Sequence, residues 1–190
     1  MNNSLNPSSI RSKKEITDAL LKLMQDHPYS EISVKQIVME TSLVRKTFYL
    51  NYTSKDDVLN SVINQVILDY TQALSATSDG PFTVIFDFCE KNKELLQLLH
   101  KNNMLYLLLL KLNEVIPECN RTMDMSNNPF AKTIGNLDPD YIIAFNIGAI
   151  WNVIFKWVDR GMVDSLDEIK NTIEQYLSQY YQNNNSDKSG

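Results

Sequence analysis

The chain is poor in residues that interrupt helices: five glycines and six prolines among 190 residues. That scarcity argues against a turn-rich sheet protein and against a disordered low-complexity chain. No long apolar–polar alternation marks a strand, and no segment repeats. Cys89 and Cys119 are too few for a disulfide framework and fit a reducing cytoplasm. Only His27 and His100 are available, so a histidine-based triad is poorly supplied. There is no glycine-rich phosphate loop. Cys89, His100 and Cys119 form no recognised metal-ligand spacing. An enzyme is therefore not expected, and neither a metal nor another cofactor is implied. The first fifteen residues are polar and do not form a signal peptide.

What the chain does have is apolar residues, 43% of the total, recurring at helical spacing nearly throughout. The expected fold is all-α. Segment 104–112 is greasy but too short to span a bilayer. Segment 141–158 approaches the ~20 residues a span needs. Asn146, Asn152 and Lys156 interrupt it, so it reads as a buried helix.

The net charge of −5 is unevenly spread. Residues 1–59 hold eight Lys/Arg against seven Asp/Glu, a balance of +1, and residues 60–190 hold ten against sixteen, a balance of −6. The cations of the first part cluster as Arg11, Lys13 and Lys14, then Arg45, Lys46 and Lys55. A local basic face matters more than the total.

Residues 1–8 read as a flexible polar arm. Ser9 or Ser12 caps a helix to Asp26, with Ile16, Ala19, Leu20, Leu23 and Met24 as its apolar stripe. His27-Pro28 stops it. Ser33 starts the next helix, with Gln36 as capping-box partner and Val34, Ile37 and Val38 inward. Thr41-Ser42-Leu43 forms a turn before a two-turn helix over 44–50. Ser54 then caps a long fourth helix, with Asp56 and Asp57 in its first turn. Three helices with a short turn between the last two is the helix-turn-helix plan. Arg45 and Lys46 open the third helix, where side chains enter a DNA groove. Thr47 suits a thymine methyl or a phosphate, Tyr52 a phosphate, and Lys55 the backbone. Phe48 reads as core. Tyr49 stays open between core ring and phosphate contact.

Three pieces now carry a specific resemblance: Ile32-Ser33-Val34-Lys35-Gln36-Ile37, then Arg45-Lys46-Thr47-Phe48-Tyr49, then Tyr52-Thr53-Ser54-Lys55-Asp56-Asp57-Val58-Leu59. In order and spacing they resemble the DNA-binding domain of TetR/AcrR-family transcriptional regulators, over roughly a third of the chain. The departures are Thr41-Ser42 where Ala-Gly is usual, Val44 at the usual Ser/Thr cap, Lys46 where a small residue often follows the arginine, Asn51 for a common His and Tyr52 for a common Phe. The candidate DNA-binding set is Lys35, Thr41, Ser42, Val44, Arg45, Lys46, Thr47, Tyr49, Asn51, Tyr52 and Lys55. The domain division follows: residues 1–8 arm, 9–53 DNA-binding, 54–182 signal-binding and dimerisation with 54–76 as connecting helix, and 183–190 a disordered tail.

In the second part, the helix over 54–76 carries Val58, Val62, Val66, Leu68 and Tyr70 inward. Ser78-Asp79-Gly80-Pro81 ends it. A helix over 82–99 carries Phe82, Ile85, Phe86, Cys89, Leu95 and Leu99, and Asn102-Asn103 breaks the chain. A helix over 104–115 is closed by Pro117, and residues 120–139 read as irregular. Asp138-Pro139 opens the helix over 141–158, apolar on nearly every face and so in need of cover on both sides. Gly161 ends it, and Ser165 begins the last helix. Two long adjacent helices per chain make a four-helix interface under twofold symmetry. Its candidates are Tyr141, Phe145, Gly148, Ala149, Asn152, Ile169, Ile173 and Tyr176.

Trp157-Val158-Asp159-Arg160-Gly161-Met162 resembles an ending found in one branch of the family, and the C-terminal half loosely resembles the branch of dihydroxyacetone-kinase-type regulators. The family resemblance implies a cytoplasmic homodimeric repressor on a palindromic double-stranded DNA operator. A small hydrophobic ligand would release it. Candidate ligand residues are Tyr70, Phe86, Tyr106, Met123, Phe130, Asn146, Trp151 and Phe155, each also readable as core. The branch resemblance implies an alternative: an activator or regulator controlled by a protein partner. A helical adaptor that binds no DNA is a third reading, opposed by the Arg45-to-Lys55 motif.

Overall fold

The computed structural model describes residues 7–76, 81–122 and 137–186, and within them the regular structure is helical. The helices are α1 (Pro7–Asp26), α2 (Val34–Met39), α3 (Arg45–Asn51), α4 (Lys55–Ala76), α5 (Pro81–Lys91), α6 (Lys93–Lys101), α7 (Tyr106–Thr122), α8 (Pro139–Asp159) and α9 (Leu166–Ser186). A single 3-10 turn, Tyr29–Glu31, links α1 to α2.

The apolar stripe of α1 is buried as its spacing requires: Ile16, Ala19, Leu20, Leu23 and Met24. The helix starts earlier than the polar composition suggests. Pro7 opens it, a position where the missing N–H costs nothing and the fixed φ helps. The last helix likewise runs to Ser186, into the segment expected to be a disordered tail. Residues 1–6 of the expected arm, and 187–190 of that tail, lie outside the described residues.

α4 is the spine. It packs on α1 at one end and on α5 and α7 further along. Val58, Val62, Val66 and Tyr70 face inward, but Leu68 is exposed: it lies two residues from both Val66 and Tyr70, on the opposite side of the helix. The core is continuous from Ile16 and Phe48 through Val58 and Ile63 to Phe86 and Trp157. No apolar gap separates the two regions.

Two boundaries in the larger region differ from the sequence expectation. The helix expected over 82–99 is two helices, broken at Asn92. The Asn92 amide Nδ2 donates to Phe88 O at 2.8 Å, an internal bond that competes with the helix ladder. α7 does not stop before Pro117 but carries it inside, since one missing N–H costs a single ladder bond. α8 is covered on one side within the chain. Ile143, Trp151, Ile154, Trp157 and Val158 pack into the core against α5, α6 and α7, while Tyr141 and Phe145 stand 76% and 73% exposed. By length and composition α8 is apolar enough to cross a membrane. Gly161, at φ +78°, ends it as expected, with Met162 N bonded to Trp157 O at 2.8 Å.

Candidate nucleic-acid interface

α3 is too short to stand alone, so its position depends on what holds it. Phe48 is fully buried and anchors the helix in the core formed with α1 and α4. Removing a ring so placed typically costs about 3–5 kcal/mol. Its neighbours pack around it: the Tyr49 ring meets Phe48 edge-on at 5.3 Å and Tyr52 lies tilted at 6.2 Å. With Phe48 inward and 100° per residue, Lys46 and Leu50 point most directly away. Arg45 and Tyr49 form one flank, Thr47 and Asn51 the other. Burial agrees: Arg45, Lys46, Tyr49 and Leu50 are exposed, and Thr47 and Asn51 are half-buried. Leu50, at 66% exposure, belongs to the outward face and was missing from the sequence candidates. Its apolar character pointed to core, and only the phase of the helix relative to Phe48 would have placed it outward.

The Arg45 side chain folds along its own helix. Its Cζ lies 5.6 Å from the Tyr49 ring centroid, and Nη2 donates to the Tyr49 hydroxyl at 3.3 Å. This keeps the guanidinium on the outer face. Val44 precedes the helix in an extended conformation and offers no capping oxygen, so the first turn of α3 has no side-chain acceptor.

The turn before α3 is held by polar bonds within itself, to α2 and to α1. Thr41 Oγ1 donates to Val38 O at 2.8 Å and accepts from Leu43 N at 3.2 Å. Ser42 N donates to the Glu15 carboxylate. Those bonds to Ser42 hold the Glu15 carboxyl below its ordinary value. Lys22 Nζ pairs with Glu40 at 2.6 Å. Among the described residues left-handed backbone occurs only at Asn103, Gly161 and Met162, so this turn needs no glycine. That explains how Thr41-Ser42 serves where Ala-Gly is usual. The capping box on α2 is complete: Gln36 N donates to Ser33 Oγ, and Ser33 N donates to Gln36 Oε1.

Three sequence candidates are engaged inside the protein. Tyr52 is buried, with its hydroxyl 3.1 Å from Ser61 Oγ, and closes the core rather than facing a phosphate. It is the second ring needed beside Phe48 to fill the junction with α4. Lys55 donates to three carbonyls, Tyr29 O at 2.7 Å, Ile32 O at 2.8 Å and Ser30 O at 3.3 Å. An ammonium has three N–H donors, so a phosphate would have to displace one of these bonds. Asn51 donates to Thr47 O at 2.8 Å and accepts from Ser9 Oγ at 2.7 Å, tying α3 to the start of α1. Lys35 and Ser42 are exposed. Lys13, on α1, places its Nζ 5.9 Å from the Tyr52 ring, so a cation of the first cluster reaches the α3 end of the head.

The ligand candidates do not converge. Phe86, Tyr70 and Trp151 are buried. Phe86 meets Trp157 at 6.2 Å and Tyr70 meets Phe88 at 5.4 Å, so these rings contact one another. Burial raises the Tyr70 hydroxyl to about 12, with the nearby Cys89 adding to it. Tyr106 and Phe155 are exposed, Phe155 lying edge-on to His100 at 5.5 Å. Met123 and Phe130 lie outside the described residues. Asn146 and Asn152, which a greasy helix must satisfy, each donate Nδ2 to their own helix, at Ile142 O (2.7 Å) and Gly148 O (2.8 Å).

Residues 16–62 match the family described as "Bacterial regulatory proteins, tetR family", and residues 76–179 match that described as "Transcriptional regulator C-terminal region". No curated protein sequence matches the chain. Among the solved structures that are similar, two match over nearly their whole length. One, "Dihydroxyacetone kinase operon activator DhaS", is 20% identical, with a TM-score of 0.54, covering 90% of this chain and 96% of that one. The other, the fatty acid degradation regulator FadR from Bacillus halodurans, is 16% identical, with a TM-score of 0.61, covering 92% and 96%. At these identities the likeness is one of fold.

Proposed function

The chain belongs to the tetR family of bacterial regulatory proteins, DNA-binding transcriptional regulators, and on that premise we propose that it is a repressor that binds a palindromic operator as a homodimer. The observation that carries this reading is the outward set Arg45, Lys46, Tyr49 and Leu50, held on a helix locked by Phe48. Arg45 and Lys46 supply base-edge and phosphate contacts, Tyr49 a phosphate contact, and Leu50 a surface for a thymine methyl.

A single short helix binds weakly, so paired half-sites require two heads. The bare stripe of α8 supports a dimer: Tyr141, Phe145, Ala149 and Asn152 are exposed along one side, and a Cβ built on Gly148 meets nothing within 4 Å. Tyr176 on α9 is also exposed, whereas Ile169 and Ile173 are half-buried against the core of their own chain. A groove of about 660 Å³ runs between α8 and α9, lined among others by Asn152, Val153, Ile169 and Ile173. Two copies packed along α8 and α9 would form a four-helix interface. The DNA-binding region then comprises residues 9–53 with the start of α1, and residues 54–182 dimerise and take up the signal. Such a protein acts in the cytoplasm, and catalysis is no part of its role.

The signal is open between two classes. Family precedent favours a small hydrophobic ligand. The mutual packing of Phe86 with Trp157 and of Tyr70 with Phe88 favours control by a protein partner, since these rings fill space a ligand would need. The name of one structural neighbour, an operon activator, is in keeping with this second reading.

The test is selection of bound fragments from the source genome by purified protein at stated salt. Enrichment of one or a few palindromic sites supports the reading. Recovery of random fragments, unchanged by cell extract, contradicts it.

A further inference from the structure

α6 has nine residues and spans about 14 Å at ~1.5 Å per residue. Polar side chains at both of its ends reach other parts of the molecule. At its start, Lys93 Nζ donates to Met162 O at 3.1 Å, and at its middle Gln97 Nε2 donates to Gly161 O at 3.2 Å. Both acceptors lie in the turn between α8 and α9. At its end, Asn102 Nδ2 donates to Met24 O at 3.1 Å, and Asn102 Oδ1 accepts from Tyr29 N at 2.8 Å. Lys101 Nζ donates to Gln25 O at 2.5 Å.

These last acceptors are the terminal carbonyls of α1, which a helix cannot satisfy internally. The sequence of α1 supplies no cation in its last turn. Lys101 supplies one from the other region of the chain, where the helix dipole favours it. Asn102 is held in place by the end of its own helix. Asn103 takes left-handed backbone at φ 57°, and Met104 N closes onto Leu99 O at 2.7 Å. Asn102 Nδ2 also donates to Leu98 O at 3.0 Å.

We infer that Asn102 is a positioning residue for DNA binding. Through it, α6 acts as a strut that fixes each head to the α8–α9 turn, and so sets the distance between the two heads. The inference rests on the dimer proposed above. It adds a polar route to the apolar one through α4, and it locates the head end of that route at three bonds.

The test compares wild type with Asn102→Ala and Asn102→Asp. A spin label is placed at Asp18→Cys, an exposed site on α1, in a Cys119→Ser background. Pulsed dipolar spectroscopy reads the head-to-head distance. The same unlabelled variants are titrated against operator duplexes whose half-site spacing is changed by one or two base pairs. Thermal unfolding establishes that each variant is folded. Wild type gives one narrow distance and discriminates against wrong spacing by a factor in the about 5–150 range typical of coupled sites. Asn102→Ala broadens the distance and brings discrimination within about threefold, while the penalty for a base change inside a half-site stays as in wild type. Asn102→Asp keeps the acceptor for Tyr29 N–H, loses both donations and falls between. An unchanged distance and spacing profile in folded Asn102→Ala overturns the inference and leaves the repressor reading standing. A wild type with no dipolar signal overturns both.

Discussion

The Arg45 guanidinium lies over the Tyr49 ring, 5.6 Å from its centroid, one helical turn apart on the outer flank of α3. The pair acts as a unit: the ring holds the cation outward and keeps its fork of donors aligned. Arg45→Ala and Tyr49→Ala are expected to abolish specific binding while the protein stays folded, since neither side chain is core. A bidentate base contact is worth about 1–3 kcal/mol. Tyr49→Phe keeps the shelf and should lose less. Binding isotherms with specific and scrambled duplexes, run beside thermal melts, check this. Specific binding by both alanine variants would show that α3 is not the reading helix.

Lys46 and Leu50 share the outermost line of α3 yet should act differently. Lys46→Ala should weaken binding to all sequences and lower the slope of log K against log salt by about one. Leu50→Ala should leave the slope alone and alter preference at one or two base pairs. Titrations at four salt concentrations, with single-base operator variants, separate the two.

Val44 leaves the first turn of α3 without a side-chain acceptor. Val44→Ser restores the missing cap, and the gain expected from such a change is about 1 kcal/mol. Chemical denaturation should show a higher midpoint at unchanged slope. A lower midpoint would mean that the Val44 side chain contributes packing that its exposure does not reveal.

The bonds from Ser42 lower the Glu15 carboxyl below its ordinary value. A depressed acid stabilises the folded state above its unfolded pKa and loses that contribution as pH falls through the folded value. The tie is therefore complete at neutral pH and is released only below the ordinary carboxylate range. Glu15→Ala should remove part of the acid-side fall in stability and lower operator affinity at pH 7. Denaturation curves from pH 3 to 7 read the first effect. Parallel curves for both proteins would show that the bond contributes nothing.

Much of the head was legible in the sequence because each element carries its own signal: the α1 stripe, the Ser33–Gln36 box, the Ser54 cap with Asp57 N donating to Ser54 Oγ at 3.1 Å. What was not legible depends on distant partners. Lys55 looks like a phosphate contact until the carbonyls of residues 29, 30 and 32 are seen around it. Tyr52 resembles an exposed hydroxyl until α4 covers it. Asn102 read only as a break between helices, since its partners Met24 and Tyr29 lie more than seventy residues away. The course of α7 through Pro117 was hidden for another reason: local propensity opposes it and tertiary packing prevails. The α8 stripe was half legible, because an all-round apolar pattern says that cover is needed but not on which side.

The most direct test of a twofold reading head is hydroxyl-radical footprinting on an enriched genomic site. The account predicts two protected patches on one face of the duplex, related by a dyad and about one helical turn (~34 Å) or a little more apart, both lost in Arg45→Ala. A single patch, or the same protection in Arg45→Ala, would contradict it.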